Sequence, residues 1–267
     1  MSGPDTEFED AMARHKRVQL PGFIRHVMSR GNGRMRIFLD DADHREFIHG
    51  LATTVERFEL ICWNYCLMPN HYHVTLQPIH SNLSEAIRSL NSVYAQWWNR
   101  RHERVGHVFQ GRFKDQIVDR NDYLLVLSRY VVMNPVRSRL VEQPEDWRWS
   151  SYSATIGRVP CPPFLASSST LGLFGDCEQE VVRTRFASYV KTPYDDDPLD
   201  DRIRSNERIL GSASFKGAVR AQIGEQPQRL EAGVQSAPVN ASGTRADSPV
   251  SNNGGLPRAT TASSSDV

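Results

Sequence analysis

The sequence predicts an α+β fold: a ferredoxin-like split βαβ antiparallel sheet with its helices on one face, followed by a weakly structured C-terminal extension. The prediction depends on the spacing of apolar residues. Up to Val141, apolar residues alternate with polar ones in some stretches, which predicts strands, and recur every three or four residues in others, which predicts helices. The resulting order is strand, helix, strand, strand, helix, strand, helix. A split βαβ sheet requires that order, and the sequence contains no internal repeat that would indicate another architecture.

The first half of the pattern predicts three strands and one helix. Residues 19–30 alternate in hydrophobicity before a glycine-rich turn, which predicts the first strand. Residues 40–59 form an amphipathic pattern, and aspartates at its start favour a helix N-terminus. Aromatic and branched residues predict the second and third strands at 60–67 and 71–77, joined by a turn at 68–70.

The second half predicts two helices and one strand. The second helix is predicted at residues 82–101, whose apolar residues share one side. A strand-like stretch follows at 107–118. The third helix is predicted at residues 121–134. It should end at Asn134, because the residue before a proline is pushed away from helical geometry.

Beyond Val141 the periodic signals weaken, although Trp147 and Trp149 are expected to dock a short segment back onto the core. From Gly224 onward few large apolar residues occur. That tail cannot offset its ordering entropy and is predicted to be disordered. The predicted parts of the chain are a flexible leader (1–13), a catalytic domain (14–155), a small helical or irregular extension (156–223) and the disordered tail (224–267).

Composition excludes several classes of protein. The four cysteines form no C-x-x-C pair, so the usual zinc-ribbon spacing is absent, and we expect ordinary buried thiols in a reducing cytoplasm. No stretch approaches the roughly 20 apolar residues of a membrane span. The acidic N-terminus has no apolar core of a signal peptide. We therefore expect a soluble, cytoplasmic protein with no membrane partner.

Charge is concentrated in one segment of the chain. The formal net charge is only +1, but residues 86–140 carry ten Arg or Lys against four Asp or Glu, a local charge of +6. Basic surface in one segment favours a polyanionic ligand, although on charge alone a solvated helical face is the simpler explanation.

Aromatic residues interleave with basic ones between Tyr94 and Lys114. Stacking surfaces beside cations suit single-stranded nucleic acid, where each stacked base contributes ~1–3 kcal/mol. The alternative assigns the aromatics to the core and the arginines to solvent. We expect both to hold, so that one of Trp97 and Trp98 packs and the other faces out. The residues predicted to bind DNA are Arg100, Arg101, Arg104, Trp98, Arg112 and Lys114.

The most informative motif is His71-Tyr72-His73, on the third predicted strand. Residues two apart on a strand point to the same face, so the two imidazoles are in position to share one metal ion. The preceding turn would place them at the rim of the sheet. An ordinary pair of surface or core histidines fits this spacing equally well.

A second motif is Tyr130 with Asn134, on the third predicted helix. Residues four apart share a helix face, so the hydroxyl of Tyr130 could act as a nucleophile and the amide oxygen of Asn134 as a third metal ligand. Alternatively, the tyrosine is core packing and the asparagine marks a helix end.

These motifs, in this order, resemble single-tyrosine transposases that carry a histidine–hydrophobe–histidine motif, and in particular the REP-associated tyrosine transposases. The resemblance covers about residues 14–155. The blocks that carry it are PGFIRHVMSRGN (21–32), YCLMPNHYHV (65–74), GHVFQGRFK (106–114) and DYLLVLSRYVVMNPVR (122–137).

The resemblance implies a role for each matching residue. His71 and His73 match the two histidine metal ligands, and Tyr130 matches the nucleophile. Many insertion-sequence relatives have glutamine at the position of Asn134, and asparagine is one methylene shorter, so water could replace it as a ligand. Tyr123 is the rival nucleophile. It ranks lower because it lies near the helix start, with no polar partner four residues on.

The implied function is a DNA transposase that cleaves and rejoins single-stranded DNA, presented beside a hairpin, through a 5′-phosphotyrosine. A divalent ion, magnesium or manganese, would bind a non-bridging phosphate oxygen. The resemblance allows either a monomer or a homodimer. Two other hypotheses stay open: a domesticated DNA-binding protein that no longer cleaves, and a metal-dependent hydrolase in which water attacks and Tyr130 is structural.

Overall fold

The structure is a computed structural model that describes residues 19–120, 123–192, 202–203 and 207–231. The predicted leader, the first residues of the predicted third helix and most of the predicted tail lie outside these residues. The strands are β1 (Ile24–Arg30), β2 (Leu60–Met68), β3 (His71–Pro78), β4 (Lys114–Val118) and β5 (Ile209–Leu210). The helices are α1 (Asp41–Arg57), α2 (Leu83–Arg101), α3 (Leu124–Arg137), α4 (Tyr152–Thr155), α5 (Ser167–Leu171), α6 (Gln179–Lys191) and α7 (Ala213–Glu231).

The strands form one sheet in the order β2-β3-β1-β4-β5. The first four strands pair antiparallel to their neighbours, and β5 adds a parallel strand to the outer edge of β4. The element order up to α3 and the ferredoxin-like arrangement of β1 to β4 are those that the sequence predicts. β1 and β3 lie side by side in the interior of the sheet, so both backbone edges of each strand are paired with a neighbour.

Helices cover both faces of the sheet. α1 and α2 pack on one face, where the largest apolar cluster includes Val27, Tyr72 and Val74 from the strands. α3 packs on the opposite face, where Leu127 and Tyr130 join a second apolar cluster. The prediction of helices on one face therefore holds for α1 and α2 and is wrong for α3.

α3 does not end at Asn134, as the sequence predicts, but continues through Pro135 to Arg137. A proline removes one backbone donor, a small loss in the last turn of a helix, where several carbonyls have no helical partner in any case. The following residues satisfy that turn: the Ser138 amide donates to the Asn134 carbonyl and the Leu140 amide to the Pro135 carbonyl, each at 2.9 Å.

Segments beyond Val141 contact the edges of the sheet. As predicted, the tryptophan segment docks on the core: the Trp147 indole donates to the Leu67 carbonyl at 3.0 Å, and the Leu67 amide donates to the Trp149 carbonyl at 2.9 Å. At the other edge, the Ile117 amide donates to the Arg208 carbonyl at 2.8 Å. The backbone of α7 is helical past residue 224, where the disordered tail was expected to begin.

The cysteines divide into two pairs. Cys62 and Cys66 are buried, and burial raises the pKa of both thiols. Cys161 and Cys177 are exposed, so the prediction of buried thiols is wrong for these two. Among the helices of the described residues, none is both long and apolar enough to cross a membrane.

Gly31 allows close packing at the end of β1. A Cβ atom there would overlap the carbonyl oxygen of Met35 and lie 2.9 Å from Ile37. We expect Gly31→Ala to lower the free energy of unfolding by about 1–3 kcal/mol, as overpacking does. In contrast, a Cβ at Gly217 in α7 meets open space, so Gly217→Ala should be neutral or slightly stabilising. Urea unfolding of the two variants tests this, and equal stabilities would contradict it.

Candidate active site

Two histidines project side by side from the start of β3. His71 and His73 lie on the face that α3 covers, with ring centroids 5.0 Å apart. Tyr72, between them, points to the opposite face, where its hydroxyl donates to Asn91 at 2.8 Å. The alternation of a strand thus separates the histidines from the main core.

Each histidine has a polar partner at its Nδ1 atom. His71 Nδ1 lies 2.7 Å from Oδ1 of Asn70, whose amide nitrogen donates to the Arg34 carbonyl at 3.1 Å. His73 Nδ1 lies 2.9 Å from Nε2 of His26. With Nδ1 engaged in both rings, Nε2 is the nitrogen left for a ligand in each.

Burial keeps these histidines neutral. It lowers the pKa of His26 to about 4 and that of His71 to about 4, in the latter case together with the positive charge of Arg30. The pKa of His73 is lowered well below its ordinary value, first by burial and then by its charged or titratable neighbours. Neutral imidazoles have the lone pairs that metal coordination requires.

Tyr130 faces the histidines from α3. Its ring centroid lies 5.8 Å from that of His73 and 6.0 Å from that of His26, with the rings nearly perpendicular. The side chain is 7% exposed, and the Arg137 guanidinium lies 5.2 Å from its ring centroid. One turn later, Asn134 Nδ2 donates to the Tyr130 carbonyl at 2.8 Å, which leaves the amide oxygen of Asn134 for other contacts.

An open cavity of about 720 Å³ joins these groups. Its lining includes all four predicted metal-site and nucleophile residues, together with Arg112 and Lys114 of the predicted DNA-binding set. It also includes cations that the sequence reasoning missed. The full lining is Met28, Ser29, Arg30, Arg34, His71, His73, Gln110, Gly111, Arg112, Lys114, Tyr130, Asn134, Ser138 and Ile203.

Part of the chain is similar to known proteins. The family model described as "Transposase IS200 like" matches residues 21–134, the segment that contains both histidines, Tyr130 and Asn134. Residues 21–134 are therefore similar to an IS200-like transposase domain. A putative REP-associated tyrosine transposase of Haemophilus influenzae is 24% identical over 142 residues, which cover 49% of this chain and 81% of that protein.

Two solved structures are similar to the chain. One is a REP-associated tyrosine transposase bound to a REP hairpin, at 16% identity and a TM-score of 0.47, covering 58% of this chain and 92% of that one. The other is the tRNA(His) guanylyltransferase of Saccharomyces cerevisiae, at 11% identity and a TM-score of 0.37, covering 71% and 86%.

Two residues predicted to bind DNA make structural contacts instead. Trp98 is 1% exposed and belongs to the apolar cluster on the face of the sheet that α1 and α2 cover. Its ring therefore cannot stack on a base. Its neighbour Trp97 is half-buried. Arg101 donates to Asp40 at 2.7 Å and to Asp43 at 2.5 Å, which holds the end of α2 to the start of α1. Arg100 and Arg104 are exposed and do not line the cavity.

The rival tyrosine lies elsewhere. The Tyr123 hydroxyl accepts a hydrogen bond from Arg202 at 3.0 Å, and Arg202 also donates to Glu207 at 2.8 Å. Tyr123 is absent from the cavity lining, whereas Tyr130 is part of it. The geometry thus favours Tyr130 as the phenol nearest the histidines.

His26 and Gln116 are the polar residues that the sequence reasoning missed beside the histidine pair. They come from β1 and β4, and their side chains meet only because these strands pair in one register. The one signal in the sequence was a histidine at an inward position of an alternating strand. Arg30 and Arg34 were missed because they precede the basic segment that the charge count singled out.

Neutral buried histidines predict an acid-sensitive fold. The unfolded chain protonates them below about pH 6.5, whereas in the folded protein His26 and His71 protonate only near pH 4. Protons that only the unfolded state binds lower stability as pH falls, by about 1.4 kcal/mol per pH unit for each such histidine. We expect urea unfolding to show this loss between about pH 6.5 and 5. A smaller slope is expected for His26→Gln, and a flat profile in the wild type would contradict the assignment.

Proposed function

We propose that this protein is a transposase that cleaves and rejoins single-stranded DNA through a 5′-phosphotyrosine on Tyr130. The observation that supports the proposal best is the shared cavity, in which one phenol, two neutral imidazoles and four cationic side chains line the same space. The cations Arg30, Arg34, Arg112 and Lys114 suit a phosphate backbone.

The donor set fits a divalent cation. Two Nε2 atoms with oriented imidazoles and the Asn134 amide oxygen would hold it, with water or phosphate oxygens as the remaining ligands. Among the described residues, no group of three or more His, Cys, Asp or Glu is placed to hold a metal ion. Open positions and oxygen ligands favour magnesium or manganese, and a bound ion would withdraw charge from the scissile phosphate.

The chain's own residues perform the covalent step. The Tyr130 oxygen attacks the phosphorus, an O–P bond forms to the phenol, and the bond from phosphorus to the 3′ oxygen breaks. The phenol loses its proton and the departing 3′ oxygen gains one. The linkage is exchanged rather than hydrolysed, so a second 3′-hydroxyl can reverse the step and rejoin the strand without ATP.

The cationic rim would bind the substrate strand. Arg112 and Lys114 reach the cavity from the loop before β4 and from its first residue, and both are exposed. Arg30 and Arg34 reach it from the end of β1 and the loop that follows. A hairpin beside the single strand is the substrate form that the resemblance to REP-associated tyrosine transposases implies.

Removing the phenol oxygen should abolish the covalent intermediate. We expect Tyr130→Phe to give no protein–DNA adduct with a single-stranded hairpin oligonucleotide and Mn²⁺, while its binding to the strand persists. The matched control is Tyr123→Phe, which removes a phenol oxygen at the start of the same helix, α3, outside the cavity lining. Denaturing gel electrophoresis measures the adduct.

Other results of that assay would contradict the proposal in distinct ways. Adducts at the wild-type rate in Tyr130→Phe would rule out Tyr130 as the nucleophile. Release of a 5′-phosphate with no adduct in the wild type would indicate attack by water. Binding with no cleavage in the wild type would indicate a protein that only binds DNA.

The cations at the cavity should contribute more to strand binding than those at the end of α2. We expect Arg112→Gln and Lys114→Gln each to weaken binding and to reduce the slope of log affinity against log salt by about 0.7, the value for one phosphate contact on a single strand. Arg100→Gln, which removes an exposed charge outside the cavity, should change the slope less. Fluorescence anisotropy titrations at several salt concentrations measure this, and equal slopes for all three variants would contradict it.

A further inference from the structure

A chain of buried hydrogen bonds leads from His73 to the C-terminal segment. His73 Nδ1 lies 2.9 Å from His26 Nε2, and His26 Nδ1 lies 2.9 Å from Oε1 of Gln116. The side-chain amide nitrogen of Gln116 lies 2.8 Å from the carbonyl oxygen of Glu207 and 3.3 Å from that of Ile203. His26 is fully buried and Gln116 is 2% exposed, so water does not compete for these contacts.

The backbone carbonyls at the end of this series of hydrogen bonds fix the direction of every hydrogen bond in the series. Backbone carbonyls only accept hydrogen bonds, so Gln116 must present its amide nitrogen to Glu207 and its oxygen to His26. The amide oxygen also only accepts, so His26 Nδ1 must carry a hydrogen. His26 is fully buried, and its two ring nitrogens contact only Gln116 and His73, neither of which is a carboxylate that could stabilise an imidazolium. Its single hydrogen is therefore on Nδ1, and its Nε2 has a lone pair that accepts from His73. His73 therefore carries its hydrogen on Nδ1.

We propose that Gln116 and His26 are positioning residues that hold His73 in its Nδ1–H tautomer. The hydrogen bonds from His73 through His26 and Gln116 to the Glu207 carbonyl form a relay, and that carbonyl sets its direction. This inference rests on the proposed function for its purpose, since the Nδ1–H tautomer is the one whose Nε2 can bind a cation. Hydrogen-bonded partners of this kind orient ligand histidines and raise their basicity.

The relay also explains why this strand pair carries polar residues in a buried position. An unpaired buried imidazole or amide would destabilise the fold, whereas the polar side-chain atoms of Gln116 and His26 each have a hydrogen-bond partner. The relay couples the predicted catalytic domain to residues more than 80 positions later in the sequence, through one side chain of β4.

The test measures the tautomer in the metal-free protein. Heteronuclear NMR of the imidazole nitrogens should find His73 of the wild type protonated at Nδ1. In Gln116→Met, which keeps the side-chain length but removes the acceptor, and in His26→Phe, His73 should become a mixture of tautomers. The affinity for Mn²⁺, measured by electron paramagnetic resonance, should weaken about 10-fold or more, as loss of such partners typically does.

The matched control is Thr75→Val. It removes another buried hydrogen bond from the same face of β3, the one that Thr75 donates to Asn64 at 2.8 Å. Thr75 pairs with His26 across the two strands but donates no hydrogen bond to the relay, so this variant controls for disturbed packing beside His26. The control should leave the His73 tautomer and the Mn²⁺ affinity unchanged. A purely structural role of the relay would instead lower the melting temperature of all three variants without moving the tautomer.

Two results would overturn the proposal. One is a wild-type His73 protonated at Nε2, which needs no variant and so does not depend on how well a variant folds. The other is an unchanged tautomer in folded Gln116→Met. Neither depends on cleavage, so they are distinguishable from failure of the proposed function, which is a wild type that forms no DNA adduct.

Discussion

The two-residue period of β3 is the constraint on which the rest of the structure depends. Tyr72, Val74 and Leu76 point to one face and join the core under α1 and α2. His71 and His73 point to the other face, where α3 brings Tyr130 within 6 Å of the His73 ring. A shift of one residue in the register of β3 would bury the histidines in the apolar core and turn Tyr72 toward the site, so the pairing that builds the fold also builds the site.

Local periodicity explains how much of this could be predicted. The order of elements and the projection of His71 and His73 to one face follow from spacings within single strands and helices, which the sequence contains in full. The four residues assigned to the metal site and the nucleophile, His71, His73, Tyr130 and Asn134, do line one cavity. Their roles stay predictions, because shared position does not establish chemistry.

The errors come from choices that tertiary packing makes. Apolar spacings of three or four from Tyr94 allow either Trp97 or Trp98 to face the core, and in the folded protein Trp98 is buried whereas Trp97 is half-buried. The face of the sheet that α3 covers depends on the path of the chain after β4. Arg101 is a cation on a basic helix, but its partners Asp40 and Asp43 lie about 60 positions earlier. No local pattern contains such information.

The C-terminal segments show that packing can continue where sequence periodicity weakens. β5 pairs with the edge of β4, whose backbone N–H and C=O groups would otherwise have no strand partner on that side. Val219 of α7 is fully buried beside Ile117 and Leu20. Ile203 lines the cavity and shares an apolar cluster with Tyr130. Because the carbonyl of Glu207 also orients Gln116, these late residues contribute to the core, to the sheet edge and to the site together. A substitution that displaces this segment is therefore expected to disturb the site as well as the core.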